Sequence, residues 1–393
     1  MKTLLAKSKH IYEVSAEQRA ALVSSQRNTY CDDLEFNKML QSIKQTYDEE
    51  GFVLVRGLLD HDTTERLVAA GQELQGSARP IGNQFNSLEF GSAFNSDKVI
   101  FREVALDSAI PALIARVLLD IEERGQEDDA PSDETKSDDE TSSVTTLRLL
   151  KDAFMAKGKE ESHCGWHVDD NVFWPTDSSS SGVNVWLSLD CIPAKFGGGM
   201  AVSPKSHTAE WRRDAYSSIG STPILPPEGV TPAQLRKTFG QTCNMESLNE
   251  EINVKIESTK LEFDYQPGDC LFCHRWLFHR STIINEDGMR HYDDNSALKR
   301  YTIRYERGSA RLLQGVSLEP SVLMDPQNSG KSLDEVCEIS NKPFYPKCWP
   351  PLQVEERKRQ SLGMDMVSRD IFPLASKKKM ETIQGLMADV GKA

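Results

Sequence analysis

No apolar run in this sequence approaches the ~20 residues that a membrane-spanning helix needs, so no span is expected. A basic stripe with interleaved aromatics is also missing, and the 393 residues carry a formal charge of −14. An acidic chain repels a phosphate backbone unless it hides a basic face, so nucleic acid is not an expected partner. No second Cys-x-x-Cys accompanies Cys270 and Cys273, which argues against a structural zinc site. The start, MKTLLAKSKHIYEV, is basic with a short apolar step and no small-residue cleavage site, and the last residues, DVGKA, match neither a peroxisomal nor a prenylation signal. The expectation is a cytoplasmic protein whose 8 scattered cysteines are free thiols. GGGM at 197–200 lacks the Lys-Ser/Thr and the helix of a phosphate loop, and reads as a turn between strands.

What is present divides the chain by texture. With 38% hydrophobic residues and 6 Trp it can bury a sizeable core. Residues 16–50 carry apolar positions at mixed three and four spacing without proline and read as helix. GFVLVRGLLD (51–60) reads as a strand, after which Asp60 or Asp62 caps a helix with Leu67, Val68 and Leu74 on its apolar face. Residues 106–121 read as another helix. The stretch 123–143, dense in negative charge and nearly devoid of apolar residues, cannot offset its ordering entropy by burial and reads as a disordered surface loop. Beyond it, short runs rich in Val, Ile, Thr and aromatics alternate with Gly, Pro, Ser and Asn, the pattern of a β-sandwich or barrel. In the strand GDCLFCH, Cys270 and Cys273 point to opposite faces, since side chains alternate along a strand. The tail is Pro-rich around FYPKCWPP, then helical over 353–361 and 376–387. The fold class expected is mainly β with flanking helices. Its parts are an N-terminal helical extension (1–44), a β domain (45–315, with 123–143 as an acidic insertion) and a C-terminal Pro-containing and helical extension (316–393).

Chemistry enters at GWHVDDNVFWP (165–175). On a strand, His167 and Asp169 face the same side. A third ligand from elsewhere would complete two imidazoles and one carboxylate, the set that leaves open positions on a non-haem Fe(II) for a bidentate cosubstrate and O₂. QPGDCLFCHRWLFHRS offers His274 and His279 for that place. A His-x-Asp carries little weight alone. His291 and Asp293 form a second one, in a polar segment without strand pattern, and read as a solvent loop; PKSH (204–207) reads as a corner, with His207 not a ligand.

WHVD, VWLSLDCIPAKFGGGMAVSPKSH, PGDCLFCHRWLFHRS and KRYTIRY, together with GFVLVRGLLD, resemble the phytanoyl-CoA dioxygenase family of Fe(II)/2-oxoglutarate oxygenases, in the family's order and over about residues 45–310. The resemblance implies a double-stranded β-helix (jelly roll) core holding one iron through His167, Asp169 and His279, the last chosen over His274 because the family's distal His precedes x-Ser. It places Trp186 near the cosubstrate and Ser281 at its distal carboxylate. That carboxylate needs a guanidinium, which grips it with two charge-assisted hydrogen bonds. Arg290 has nearly the family's spacing but sits in a polar loop; Arg300, opening the strand KRYTIRY, is preferred, with Arg304 in reserve and Lys151 as a further candidate. The implied cofactors are Fe(II), 2-oxoglutarate and O₂, with ascorbate in support, acting on a small-molecule substrate. Halogenating relatives lack the carboxylate, so Asp169 points to hydroxylation; desaturation, epimerisation and cyclisation stay open. So do a non-catalytic jelly-roll binding protein and a metal-dependent dioxygenase of the cupin type that does not use 2-oxoglutarate. For a CoA substrate, Lys157, Lys159, Lys205, Arg212 and Arg213 offer basic groups. Trp166, Phe173 and Trp174 are candidate pocket walls, and Asp170 and Asn171 candidate contacts to a polar substrate.

Overall fold

The computed structural model describes residues 8–25, 34–77, 88–90, 93, 98–107, 110–121, 146–158, 165–169, 174, 176–177, 179–212, 214–215, 250–292, 297–312, 330–340, 345–350, 352 and 356–360. The acidic stretch 123–143 and the helix expected over 376–387 lie outside them, as do Lys159, Asp170, Asn171, Phe173 and Arg213.

The N-terminal third supplies β1 (Ile11–Glu13), α1 (Ala16–Ser25), α2 (Leu34–Glu50), β2 (Phe52–Arg56) and α3 (His61–Ser77). α3 starts where the sequence places a cap: Asp60 Oδ1 accepts the Thr63 backbone N–H at 2.8 Å, satisfying one of the helix's unpaired donors. Next come β3 (Leu88–Phe90), α4 (Val99–Arg102) and α5 (Ile110–Leu118). The helix expected over 106–121 is thus shorter: Leu106 and Asp107 belong to a wider π turn, Glu103–Asp107, and residues 119–120 form a turn. The β-rich remainder gives β4 (Leu147–Lys157), β5 (Val183–Ser188), β6 (Met200–Val202), α6 (Glu250–Thr259), β7 (Leu261–Glu262), β8 (Cys270–His274), β9 (His279–Ser281), α7 (Glu286–His291), β10 (Leu298–Arg307), α8 (Leu333–Ser340) and β11 (Lys347–Trp349).

Among the described residues the larger sheet runs β1-β2-β8-β5-β10-β4-β11, with β3 also paired to β4, and the smaller one runs β7-β6-β9. This is a mainly β molecule with flanking helices, and two facing sheets fit the double-stranded β-helix. β2 shows why the large sheet reads as continuous apolar runs: it is covered on both faces. Val53 and Val55 join Val183, Val185, Leu187, Cys270 and Phe272 under the helix residues Ile43, Tyr47 and Leu67. Phe52 and Leu54 join Trp186, Leu271, Cys273, Val202 and Leu277 between the sheets. Cys270 and Cys273 therefore point to opposite faces, and both are free thiols. The turn into β8 needs its glycine. Gly268 has φ +90°, and a Cβ there would stand 2.3 Å from the Leu59 carbonyl oxygen.

One expectation needs correction. The segment around His291 is not a solvent loop: α7 ends on His291, whose ring stacks on Phe196 at 4.1 Å, and Tyr292 is buried with its hydroxyl donating to the Gly197 carbonyl. Within the Pro-rich tail, Lys347–Trp349 pairs with β4 as an edge strand, where the flanking Pro346 and Pro350 interrupt no interior ladder. No helix among the described residues is long and apolar enough to cross a membrane.

Candidate metal centre

His167 and Asp169 lie in no regular strand; an isolated antiparallel bridge joins His167 to His279. His167 N–H donates to the His279 carbonyl at 3.0 Å, and His279 N–H donates to the His167 carbonyl at 3.0 Å. Two residues separated by 112 positions are thus locked opposite each other. A directly paired antiparallel couple puts both side chains on one face, which brings the ring centroids to 4.4 Å. The sequence argument for a shared face holds locally for His167 and Asp169, although the ladder around them is only one pair long.

Each imidazole is oriented from behind. His167 Nδ1 lies 2.7 Å from the Gly165 carbonyl oxygen and His279 Nδ1 2.9 Å from that of Leu277. A carbonyl only accepts, so Nδ1 carries the proton and, in the neutral imidazole that binds a metal, each Nε2 presents a lone pair. Both Nε2 atoms face Asp169 Oδ1, at 3.9 Å from His167 and 3.6 Å from His279. The opposite oxygen, Oδ2, is held by Arg304 through Nε at 2.9 Å and Nη2 at 2.8 Å, and by Asn184 Nδ2 at 3.1 Å. Burial alone would raise the Asp169 carboxyl, but Arg304, His279 and His167 outweigh it and hold it well below the usual carboxylate range. Burial would likewise lower His279, and Asp169 more than reverses this. The result is one ligand atom from each of three residues, all within 4.8 Å of one another. Three acceptors converging in a buried site repel one another unless a cation lies among them, and two imidazole nitrogens with one carboxylate oxygen suit a first-row divalent metal.

The remaining predicted residues are distributed over the same interior. On β10, Tyr301, Ile303 and Tyr305 turn outward to the helices, so Arg300, Thr302 and Arg304 turn inward. β5 presents Asn184, Trp186 and Ser188 opposite Arg304, Thr302 and Arg300. Trp186 packs on Tyr265 at 4.6 Å. The Arg300 guanidinium carbon stands 5.8 Å from the Trp186 ring, and its Nη1 donates to the Gly198 carbonyl at 3.3 Å. Ser281 is on β9, two residues beyond His279 and on the same face, paired with Met200. Lys151 is buried opposite Arg304 on β4. Arg304, held in reserve for the cosubstrate, is engaged with Asp169. Arg290 is exposed on α7 and pairs with Asp287. His274 lies away from the triad, against Tyr47 at 6.0 Å and His207 at 5.2 Å, and neither histidine joins the cluster. Trp166 and Trp174 are buried in the protein. Asn184 was missed by sequence reasoning, although its place two residues before Trp186 put it on the inward face.

The family model for phytanoyl-CoA dioxygenase matches residues 47–292, a span that contains all three converging residues. The chain belongs to the phytanoyl-CoA dioxygenase family. This family is a branch of the Fe(II)- and 2-oxoglutarate-dependent oxygenases, and its match here stops short of β10, so Arg300 and Arg304 rest on the structure. Among solved structures, the chain is similar to SnoK, a non-heme alpha ketoglutarate dependent carbocyclase from nogalamycin biosynthesis. The two share 14% identity over 78% of this chain and 95% of that one, with a TM-score of 0.50. SnoN, an epimerase of the same biosynthesis, shares 16% over 81% of this chain and 98% of that one, at 0.49. EctD from S. alaskensis shares 15% over 74% and 83%, at 0.43. At these identities the likeness speaks to fold alone. No curated protein sequence matches the chain.

Proposed function

We propose that this phytanoyl-CoA dioxygenase family member is an Fe(II)- and 2-oxoglutarate-dependent dioxygenase that hydroxylates a small organic or acyl-type substrate, with succinate and CO₂ as coproducts. The observation that carries this reading is the convergence of His167 Nε2, His279 Nε2 and Asp169 Oδ1, each preset by a partner on its far side. Bound Fe(II), with 2-oxoglutarate and O₂, supplies the oxidising power to break a substrate C–H bond.

The chain's own groups set the stage for that chemistry. His167, Asp169 and His279 would hold the metal, and a set of only three protein ligands would leave it able to take cosubstrate and O₂. Arg304 and Asn184 occupy Asp169 Oδ2, so the carboxylate offers the metal a single oxygen. Arg300 would receive the distal carboxylate of 2-oxoglutarate, with Ser281 as a hydroxyl partner and Trp186 as an apolar wall; Lys151, opposite Arg304, adds positive charge to the interior at the Asp169 end. Trp186, Leu271 and Val202, all buried between the sheets, keep water from the reacting centre.

The test is succinate release and O₂ uptake by the purified protein given Fe(II), 2-oxoglutarate, ascorbate and a metabolite pool. Stimulation by one compound fraction, with loss of roughly 99% of turnover in His167→Ala and Asp169→Ala, is the expected result. Robust turnover in either variant overturns the ligand assignment; iron binding without any affinity for 2-oxoglutarate would instead favour a dioxygenase independent of that cosubstrate.

A further inference from the structure

The side chains that alternate with the three converging residues face the other way. Trp166 and Val168 flank His167, and Phe278 precedes His279; all three sit in one apolar cluster on the outer side of the small sheet, together with Ile256 of α6. The next residue of that helix is Glu257. Its Oε2 accepts from Trp166 Nε1 at 2.7 Å, and its Oε1 accepts from Arg280 Nη2 at 3.1 Å and from Lys260 Nζ at 2.5 Å. The Arg280 guanidinium carbon also lies 5.2 Å from the centre of the Trp166 ring. One carboxylate therefore ties the residue just before His167 to the residue just after His279.

We infer that Glu257 is a positioning residue that locks, from the outer side of the small sheet, the two segments carrying His167, Asp169 and His279. The consequence for metal binding rests on the function proposed above. The need for such a lock follows from the backbone. Residues 165–169 belong to no strand and are held to β9 by the single bridge at His167 and His279. A ladder of one pair resists shear poorly, whereas a metal site needs its ligands held to about half an ångström. Charge-assisted hydrogen bonds are shorter and stronger than neutral ones, and Glu257 makes them at both segments from a helix that is itself anchored by Ile256, fully buried. Burial would raise the Glu257 carboxyl, but Lys260, Trp166 and Arg280 outweigh it, so the group is ionised at neutral pH.

The experiment uses the full chain. Amide hydrogen exchange is followed in peptides covering 165–169 and 277–281 of metal-free wild type, Glu257→Ala and the control Lys260→Ala, and Fe(II) affinity is measured anaerobically in each. Glu257→Ala should speed exchange about tenfold in those two peptides with β5 and β10 unchanged, and raise the Fe(II) Kd about tenfold. Lys260→Ala, which leaves the bonds to Trp166 and Arg280 in place, should change both less than twofold. Unchanged exchange in the two peptides, or equal acceleration across the whole chain, overturns the lock. If wild type and Glu257→Ala bind Fe(II) equally, the link to the metal is overturned while the oxygenase reading stands. A wild type that binds no Fe(II) sinks the oxygenase reading, and the exchange result alone then decides the lock. Should Glu257→Ala fail to fold, Trp166→Phe removes one of the tying bonds while keeping an aromatic ring at that place; it should give the same pattern at smaller amplitude, and no change would count against the proposal.

Discussion

Arg300 and Arg304 stand four residues apart on the same strand face, yet their neighbours give them different work. Arg304 faces a buried carboxylate, so removing it strands Asp169 as an uncompensated charge, and breaking a buried pair costs about 3–5 kcal/mol. Arg304→Met should therefore lower the stability of the metal-free protein by about that amount and weaken Fe(II) binding, both read by denaturant titration and metal titration. Arg300→Met should leave Fe(II) affinity near wild type and weaken 2-oxoglutarate about 10–100-fold, the value of hydrogen bonds to a charged group. The assignment of the two arginines fails if their effects are interchangeable. At this scale the sequence displayed the residue types of the site but not their pairings. His167 and Asp169 were legible because two residues of spacing puts them on one side. The contact of Arg304 with Asp169 was not legible, because its guanidinium meets a carboxylate 135 positions away, and no local pattern records that meeting.

At the scale of elements, local chemistry was the better guide. The α3 cap follows from Asp60 standing before an amphipathic run. Asp60→Ala should cost about 1 kcal/mol at pH 7. Hydrogen bonds from the Thr63 backbone and hydroxyl depress the Asp60 carboxyl below its ordinary value. That contribution is complete above the unfolded pKa near 4 and disappears as pH falls through the lower folded value. The gap between wild type and Asp60→Ala in urea unfolding should therefore close below about pH 4; a gap that stays constant to pH 2 contradicts the cap. The sheet strands with buried faces were equally legible. What sequence reading missed were short elements with weak patterns: β11, which lies within a Pro-rich stretch, and α7, whose polar residues suggested a loop although Asn285 caps it through a bond from Gly288 N–H at 2.9 Å.

For the molecule as a whole, the packing of α2 against the end of β8 creates an acid-sensitive spot. Burial, with His207, Arg212 and Arg275 nearby, pushes the His274 imidazole well below its ordinary value; burial also lowers His207, against the raising effect of the Asp48 carbonyl and of Asp48 and Glu50. For a histidine depressed in the fold, the unfolded chain takes up protons first. Stability is then complete above about pH 6.5 and declines as pH falls, by roughly 1 kcal/mol per pH unit for each such group. His274→Asn keeps an acceptor for the Trp276 N–H, which His274 Nδ1 receives at 3.1 Å, and removes the titration. Its unfolding free energy should lose less than that of wild type between pH 7 and 5; parallel losses would rule the spot out. By itself, the sequence determined the β-rich class, the family, the opposed faces of Cys270 and Cys273 and the three residues that converge, because alternation along a strand and motif order are properties of the chain. Only the tertiary structure decided that Arg304 serves Asp169, that Arg300 stands over Trp186, and that Glu257 joins both ligand segments. Those pairings depend on which distant side chains meet across two sheets and a helix, and burial in a low-dielectric interior is what gives each meeting its energy.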